Sequence, residues 1–310
     1  MPKSGAVVMA AGKSTRMKSA KVKVLHEICG RPMLAYVLDA LRGAGVEKIA
    51  LVIGHDRDRV RDMFGGQADI TFVEQLEQKG TGHAVMMAER EMRDVAGPLF
   101  VLAGDGPLIR AQTLKTLLSF FATKHAAMTL ATSELNDPMG YGRILRSADG
   151  KLQRIVEERD CTESQRQIRE VNPSYYLFDA VKLWPFLAKI TPNNAKGEYY
   201  LTDLVELMLS AGEAVEAVAA VPPEDVLSIN SRSELAKVSA IMQTRILDGV
   251  MSSGVTITSP TNTWIEFGAK IGEDTVLEPF TFIGAGAEVA AGSRVPAGTV
   301  VPRGERFGGV

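Results

Sequence analysis

The hydrophobic pattern in the first third of the chain alternates between short apolar runs and longer amphipathic stretches. The short runs that predict strands are 6–9, 48–53, 70–73 and 99–103, and the continuous apolar run 48–53 is typical of a strand buried on both faces. The stretches with apolar residues at helical spacing are 33–41, 56–64 and 82–92. Strands that alternate with helices over short connections predict an α/β fold with a mostly parallel sheet and helices on both faces.

The pattern is less regular from about residue 127 to residue 221. It predicts short strands at 128–132, 152–156 and 175–178, and helices near 181–187 and 199–209. We interpret this region as an insertion that extends the same sheet and covers the site. A long helix is then predicted over Ser231–Met251, with Ser231 as N-cap and Glu234 completing a capping box.

Beyond Gly254 the apolar period changes to six residues. The aliphatic residues at this spacing are Ile265, Ile271, Leu277, Ile283, Val289, Val295 and Val301, with glycines in many of the gaps. A six-residue period predicts a parallel β-helix, in which each coil is a triangle of three short strands. The stretch is long enough for two coils and a little more.

Composition narrows the class of protein. The chain of 310 residues is 45% hydrophobic and has a formal net charge of −2, which gives no basic field for nucleic acid. The two cysteines form neither a disulfide framework nor a zinc spacing, and no apolar stretch reaches the length of a membrane span. We therefore expect a cytoplasmic protein with no membrane and no nucleic-acid partner.

The candidate chemistry begins at the end of the first strand. Ala10, Ala11 and Gly12 have little or no side chain, so a base or a phosphate could lie against the backbone, and Arg16 and Lys23 supply positive charge. An ordinary strand-to-helix turn with surface cations would look similar, and the loop is neither a Walker loop nor a dinucleotide fingerprint. Asp105, between two glycines after the strand 99–103, falls at the same edge of the sheet, where such folds bind ligands.

Eight motifs in this order make the pattern specific: AAGKSTRM from Ala10, KVLH from Lys23, Gln75 with GTGHA from Gly80, AGDGPL from Ala103, GYGRI from Gly140, Val156 with Glu157, Asn172 with GEYYLTD from Gly197, and INSR from Ile229. From about Ala6 to Gly268 the chain closely resembles the uridylyltransferase half of the bifunctional N-acetylglucosamine-1-phosphate uridylyltransferase/glucosamine-1-phosphate acetyltransferase family. The resemblance implies a Rossmann-like nucleotidyltransferase domain over 1–230, a connecting helix over 231–253 and a short left-handed β-helix over 254–310.

The resemblance also implies the roles of individual residues. The catalytic set would be Arg16, Lys23 and Asp105, and Asp105 with Asn230 would hold Mg²⁺. The nucleotide would be bound by Ala10, Ala11, Gly12, Gln75, Gly80 and Thr81, and the sugar by Gly142, Glu157, Asn172, Tyr200 and Thr202. A trimer through the β-helix is the implied assembly, with a monomer whose β-helix rests on the long helix as the alternative. Trp264, Phe267, Phe280 and Phe282 are the candidates for contact with a neighbour.

The sequence departs from the family pattern near the predicted sugar site. Asn172 is followed by Pro173 and Ser174 where the family has Thr-Gly, and Ala103 replaces a tyrosine. Val22 and Ser14 are further departures in the first loop. The sugar is therefore less firmly implied than the reaction.

The implied reaction converts UTP and N-acetylglucosamine 1-phosphate to UDP-N-acetylglucosamine and pyrophosphate. Alternatives are another sugar 1-phosphate or a non-catalytic nucleotide-sugar-binding paralogue. We expect no acetyl transfer, because the resemblance implies a histidine base for that reaction and residues 126–310 contain no histidine. The four histidines, His26, His55, His83 and His125, are interpreted as structural.

Overall fold

A computed structural model describes residues 4–12 and 15–308 of the chain. Within these, one compact unit is formed by the residues up to Val24 together with Tyr36–Leu227, and a second by Leu25–Ala35 together with the residues from Ser228 onward. The α-helices are α1 (Met33–Gly43), α2 (Arg57–Phe64), α3 (Thr81–Met87), α4 (Glu89–Met92), α5 (Ala111–Lys124), α6 (Glu163–Arg166), α7 (Ala180–Leu187), α8 (Asp203–Ser210) and α9 (Arg232–Ser252).

The strands follow the same chain order. They are β1 (Gly5–Met9), β2 (Glu27–Ile28), β3 (Arg31–Pro32), β4 (Lys48–Ile53), β5 (Ile70–Glu74), β6 (Pro98–Ala103), β7 (Met128–Glu134), β8 (Gly142–Arg146), β9 (Leu152–Val156), β10 (Glu170–Asp179), β11 (Val215–Ala219), β12 (Thr256–Ile257), β13 (Trp264–Ile265), β14 (Lys270–Ile271), β15 (Val276–Leu277), β16 (Phe282–Ile283), β17 (Glu288–Val289), β18 (Arg294–Val295), β19 (Val300–Val301) and β20 (Arg306–Phe307).

The first unit is built on a sheet of order β11-β7-β10-β6-β1-β4-β5. Strands β6, β1, β4 and β5 run parallel, so their carboxyl ends lie at one edge. Strand β10 is antiparallel to both of its neighbours and also pairs with β8, which pairs in turn with β9. The α/β class with a mostly parallel sheet is confirmed, and the insertion after residue 127 extends the same sheet, as predicted.

Some predicted boundaries differ from the structure. The single helix predicted over 82–92 is two short helices, α3 and α4, and the helix predicted from residue 199 begins only at Asp203. The late start has a physical cause, because the Tyr199 carbonyl, which would accept from Asp203 N–H in a helix, accepts from Gly82 N–H, and Asp203 N–H donates to Tyr200 O. The helix α5 was not predicted.

The second unit contains the β-helix. Its strands form three parallel sheets, β12-β15-β18, β13-β16-β19 and β14-β17-β20, as expected for a short left-handed parallel β-helix. The predicted six-residue positions each end a strand, and Leu277, Ile283 and Val295 are fully buried. Residues 18 apart stack in register, as Ile265 does on Ile283 and Ile283 on Val301. The six-residue prediction is confirmed.

The long helix α9 begins as predicted, with one difference in its cap. The hydroxyl of Ser231 accepts a hydrogen bond from Glu234 N–H, as an N-cap should. The Glu234 carboxylate, however, accepts from the backbone N–H of Asn230, at 2.7 Å, rather than from that of Ser231. The predicted capping box is therefore shifted by one residue, and it holds the backbone of Asn230.

Within the second unit, several contacts join the segment Leu25–Ala35 to the residues that follow Ser228. The Arg303 guanidinium pairs with Glu266 at 2.6 Å and with Glu27 at 3.0 Å. The Phe267 backbone N–H donates to Cys29 O, and the Arg31 guanidinium lies 4.4 Å from the centroid of the Phe267 ring. Phe267, a predicted contact for a neighbouring chain, therefore makes contacts within its own unit. No helix in the described part of the chain is long and apolar enough to cross a membrane.

Candidate active site

The parallel strands deliver three loops to one cavity. Met9, the last residue of β1, is in register with Ala103 of β6 and Val52 of β4. The backbone then continues the ladder for one more residue, since Ala10 N–H donates to Val52 O and Gly104 N–H to Met9 O. A cavity of about 300 Å³ opens beyond these ends, lined by Met9, Ala10, Ala11, Gly12, Val22, Lys23, Val24, Gln75, Gln78, Gly80, Thr81, Ala84, Ala103, Asp105 and Glu198. Eight predicted site residues therefore share one cavity.

Small residues leave this cavity open. Ala10 and Ala11 are buried, whereas a Cβ added at Gly12 would meet no described atom within 4 Å. Packing does not require glycine at position 12, so the missing side chain leaves room for a ligand. Lys13 and Ser14 of the same predicted loop lie outside the described residues.

Gly54, which directly follows β4, is a site residue that the sequence analysis missed. A Cβ at this position would lie 2.8 Å from Gln75 O and 2.9 Å from the Ala11 side chain. Contacts that short are not tolerated, so a glycine here lets the first loop and the Gln75 backbone close together. The signal was present, because Gly54 ends a buried strand at the same sheet edge as Gly12 and Gly104.

Lys23 and Asp105 form an ion pair on the cavity wall. Their side chains are only 14% and 20% exposed, so each charge is partly removed from water. Partly buried charges are unfavourable without an opposite charge, and the Lys23 ammonium and the Asp105 carboxylate neutralise each other in this structure. A phosphate or a divalent cation could replace these partners, because the lysine offers positive charge and the aspartate an oxygen ligand. The exposed Arg16 lies in a short 3-10 turn, Thr15–Met17, and does not line the cavity.

The wall opposite the first loop comes from the segment after β5. Gln75 continues that strand, with its backbone N–H donating to Ile53 O, and is 3% exposed. Gly80 has a φ of +109°, and a Cβ there would lie 2.6 Å from Tyr199 O. Both the backbone angle and the contact require glycine, so Gly80 has a structural role besides the predicted one. The Thr81 hydroxyl accepts from Leu201 N–H.

Strand register brings together three of the five predicted sugar-binding residues, Gly142, Asn172 and Glu157. Gly142 of β8 is the partner of Asn172 on β10, and the next residue of β8 pairs with Val156, so Glu157 follows at the same end. The Thr202 hydroxyl donates to Glu157 Oε1 at 3.2 Å. Glu157, Tyr200 and Thr202 line a second cavity of about 250 Å³.

The second cavity carries several carboxylates. Besides Glu157 it is lined by Asp160, Asp203 and Glu206. Burial raises the pKa of the Glu157 carboxyl above its ordinary value. Burial, with the neighbouring charges of Glu206 and Asp160, raises the pKa of Asp203 to about 6. Among the described residues, however, no group of three or more His, Cys, Asp or Glu has a geometry that could hold a metal ion.

Asn172 is held inside the protein at both ends of its amide. Its Nδ2 donates to the Tyr176 hydroxyl at 2.6 Å, and its Oδ1 accepts from Ser174 N–H at 3.1 Å. Ser174 stands at φ +65°, in the left-handed region that favours glycine. Pro173 and Ser174 depart from the family pattern and form a tight turn. The turn is stabilised by the hydrogen bond from Ser174 N–H to the Asn172 side chain.

A buried arginine supports the same region and was also missed. Arg143 on β8 is 1% exposed; it donates to Tyr141 O and pairs with Glu158 Oε2 at 2.7 Å. The same Glu158 oxygen accepts from Gly140 N–H. The pair therefore fixes the loop that leads into Gly142 against the segment that follows Glu157. The available signal was an arginine directly before the apolar pair Ile144 and Leu145.

The loop that carries Asp105 is stabilised by a comparable ion pair that involves a buried carboxylate. Arg110 donates to both carboxylate oxygens of Asp225, at 2.6 Å and 3.0 Å, and Asp225 is fully buried. The Tyr175 hydroxyl donates to Asp225 O and lies 3.2 Å from where a Cβ of Gly106 would be. Asn230, the other predicted metal ligand, belongs to the second unit, where its Nδ2 donates to Ser228 Oγ at 3.2 Å.

The cavity lies where parallel strands end, with a floor of small residues and a wall that carries a lysine and an aspartate, and this arrangement suits a nucleotide and its phosphates. The solved structure of UDP-glucose pyrophosphorylase complexed with UDP-glucose shares this fold: it matches with a TM-score of 0.65 at 18% identity, over 79% of this chain and 100% of that one. The family model described as "MobA-like NTP transferase domain" matches residues 6–171.

The chain therefore belongs to the MobA-like NTP transferase family and is a nucleotidyltransferase. It is 46% identical over 283 residues to "Bifunctional protein GlmU" of Brevibacillus brevis, which covers 91% of this chain and 61% of that protein. It is 45% identical over 276 residues to the protein of the same name from Pelotomaculum thermopropionicum, covering 89% and 60%. The chain thus spans about three fifths of the length of the curated relatives it matches. The resemblance to the uridylyltransferase half of the bifunctional family, inferred from the sequence motifs, is confirmed.

Proposed function

We propose that the chain transfers a uridylyl group from UTP to N-acetylglucosamine 1-phosphate and releases pyrophosphate. The observation that carries the proposal is the Lys23–Asp105 pair on the wall of a cavity floored by Ala10, Ala11 and Gly12. The similarity to "Bifunctional protein GlmU" over about nine tenths of this chain supports it.

In the proposed reaction, an oxygen of the sugar phosphate attacks the α-phosphorus of UTP. The bond from that phosphorus to the oxygen bridging to the β-phosphate breaks, and pyrophosphate leaves with the bonding electrons. The attacking oxygen is already an anion, so no general base is needed. Catalysis is then a matter of alignment and charge stabilisation.

Each residue has a distinct part in this proposal. Lys23 would neutralise charge at the α-phosphate or the sugar phosphate, and the exposed Arg16 would hold the departing pyrophosphate. Ala10, Ala11 and Gly12 let the nucleotide approach the backbone, while Gln75, Gly80 and Thr81 receive the base. Glu157, Asn172, Tyr200 and Thr202, with Gly142, would surround the sugar.

Mg²⁺ is the proposed metal. A single carboxylate on the cavity wall fits this ion, which is usually held by one or two carboxylates together with substrate phosphates and waters. Asp105 would supply that carboxylate, and Asn230 is proposed as the second ligand. Asp105 and Asn230 would hold the ion, which when bound would supply charge stabilisation for the phosphates.

The identity of the sugar has an open alternative with a structural basis. The Asn172 amide, which the family pattern assigns to the sugar, is engaged by Tyr176 and Ser174. A uridylyltransferase for another sugar 1-phosphate therefore remains a second candidate. Pyrophosphate release measured over a panel of nucleoside triphosphates and sugar 1-phosphates with Mg²⁺ decides between them. No release with any pair would favour a non-catalytic nucleotide-sugar-binding protein.

Two further parts of the proposal concern the β-helix. We propose that residues 254–310 do not support acetyl transfer, since they contain no histidine, and CoA release from acetyl-CoA with glucosamine 1-phosphate would contradict this. We also propose that they mediate a homotrimer. Trp264, Phe280 and Val300 are 37%, 69% and 62% exposed, and Trp264, Phe282 and Val300 stack in register on one sheet. Light scattering should give a trimer mass, whereas a monomer at micromolar concentration would contradict the assembly.

A further inference from the structure

The amide of Gln75 is held in one orientation by two neighbours. Its Nε2 lies 3.3 Å from Gly80 O and 3.0 Å from His83 Nδ1. A backbone carbonyl can only accept, so the NH₂ end of the amide must face Gly80. The second N–H of the same group then points to His83, whose Nδ1 accepts it in the tautomer that carries its proton on Nε2.

The surroundings of this amide are fixed as well. Its backbone carbonyl accepts from Gln78 Nε2 at 3.2 Å, and Gly80 O also accepts from Ala84 N–H, in the first turn of α3. The half-buried His83 ring lies 6.3 Å from the ring of Tyr199, on the segment whose backbone carbonyl accepts from Gly82 N–H. Neither acceptor of the Gln75 amide can easily move away.

We propose that His83 is a positioning residue that holds the Gln75 amide with its carbonyl oxygen toward the cavity, and so selects uracil over cytosine. The inference rests on the proposed function, because it concerns the base of the nucleotide that the cavity would take. Among the described residues, no hydrogen bond reaches Gln75 Oε1, although Gln75 lines the cavity. The oxygen is thus the end of the amide left for a ligand.

The orientation matters because the two pyrimidines differ at one ring atom. Uracil presents an N3–H donor where cytosine presents an N3 lone pair. A fixed carbonyl oxygen accepts from the former and repels the latter. Turning the amide over would suit cytosine, but it would set Oε1 against the lone pairs of Gly80 O and would require His83 to move its proton from Nε2 to Nδ1. Leaving the Gly80 carbonyl unpaired in a buried site is costly.

Removal of His83 tests the inference. In His83→Ala one of the two acceptors is lost, and the amide can turn over. We expect the ratio of kcat/KM for UTP to that for CTP to fall by about tenfold or more, the usual effect of losing one buried specificity hydrogen bond. The ratio of the Kd values for UTP and CTP, measured by titration calorimetry without the sugar phosphate, should fall in parallel.

Two variants make the test specific. The Oδ1 of His83→Asn can stand near the position of Nδ1 and accept from Gln75, so this variant should keep most of the selectivity. His125→Asn removes an exposed histidine at the end of α5 and should leave the ratio unchanged. Should the alanine variant fail to fold by circular dichroism, His83→Leu, of similar volume, carries the same expectation.

The possible outcomes separate this inference from the proposed function. Wild-type protein that neither binds nor turns over UTP would overturn the proposed function. Wild-type protein that prefers UTP, together with a folded His83→Ala or His83→Leu that keeps the full preference, would overturn the role of His83. A loss of preference in His83→Asn equal to that in His83→Ala would also contradict it, because the asparagine retains an acceptor.

Discussion

The two halves of the candidate site are built in different ways. The nucleotide cavity lies where parallel strands end, and its shape comes from backbone and small residues, among them Ala10, Gly12 and Gly54. The proposed sugar region lies on antiparallel strands and is held by side-chain contacts such as Arg143–Glu158 and Asn172–Tyr176. The comparison suggests that the first half follows from the fold, whereas the second depends on individual side chains.

The largest expected effect is on the nucleotide side. Asp105→Asn should lower turnover by a hundredfold or more, corresponding to at least ~3 kcal/mol of lost charge stabilisation, with the fold unchanged. Pyrophosphate release at saturating Mg²⁺ and circular dichroism measure the two parts. Asp94→Asn, which removes an exposed partner of Lys48, is the matched control. Near-normal turnover of Asp105→Asn would remove this residue from the mechanism.

The Arg143–Glu158 ion pair should affect both the stability of the fold and the binding of the sugar phosphate. Arg143→Met leaves Glu158 without its buried partner, and we expect a loss of about 3 kcal/mol in the free energy of unfolding. The KM for the sugar phosphate should rise more than the KM for UTP. Arg146→Met on the same strand removes a more exposed pair with Glu170 and should cost about 1 kcal/mol or less. Equal losses in the two variants would contradict the account of Arg143.

The carboxylates of the second cavity predict a pH dependence centred on Asp203. Its pKa in the folded protein is about 6 against an ordinary value of 3.8, so folding favours the protonated form. Both states are protonated well below pH 3.8, and both are charged well above pH 6. The cost of burying the charge therefore develops as pH rises between these values.

The variant Asp203→Asn isolates this contribution. Relative to the variant, the wild type should lose about 1 to 2 kcal/mol of unfolding free energy between pH 4 and pH 7.5, because partial exposure of the Asp203 carboxylate screens its charge. Denaturant unfolding at several pH values measures the difference, and any constant effect of the substitution on α8 cancels. A flat difference, or one that favours the wild type as pH rises, would show that the carboxylate is not penalised by burial.

The smallest expected effect concerns the backbone at Ser174. At φ +65° a Cβ is unfavourable, so Ser174→Gly should be more stable than Ser174→Ala by about 1 kcal/mol. The alanine variant is the proper reference, because both substitutions remove the hydroxyl. Thermal unfolding would reveal equal stabilities if the turn relaxes in solution, and that result would weaken the claim that side chains impose the geometry of this region.

The sequence predicted much of the nucleotide side for a physical reason. Buried parallel strands are continuous apolar runs, and their ends mark the ligand edge, so Asp105 could be placed beside Gly12, whereas Gln75 was expected in the site only from the family resemblance. The six-residue period likewise predicted the β-helix, because one residue in six must face the interior.

The rest depends on contacts between residues distant in the sequence. The pairing of Arg110 with Asp225 spans 115 positions, and the packing of Leu25–Ala35 with the second unit spans more. Local pattern carries no signal for such contacts. His83 was interpreted as structural, and only its distance to Gln75 indicates a role in the site.

Phosphorus NMR of one reaction mixture tests the central claim most directly. The wild-type chain would be incubated with UTP, N-acetylglucosamine 1-phosphate and Mg²⁺, and the phosphorus signals of all species would be followed together. The account predicts that UDP-N-acetylglucosamine and pyrophosphate appear in equal amounts while both substrates decline. Release of phosphate or pyrophosphate without a nucleotide sugar, or an unchanged mixture, would contradict it.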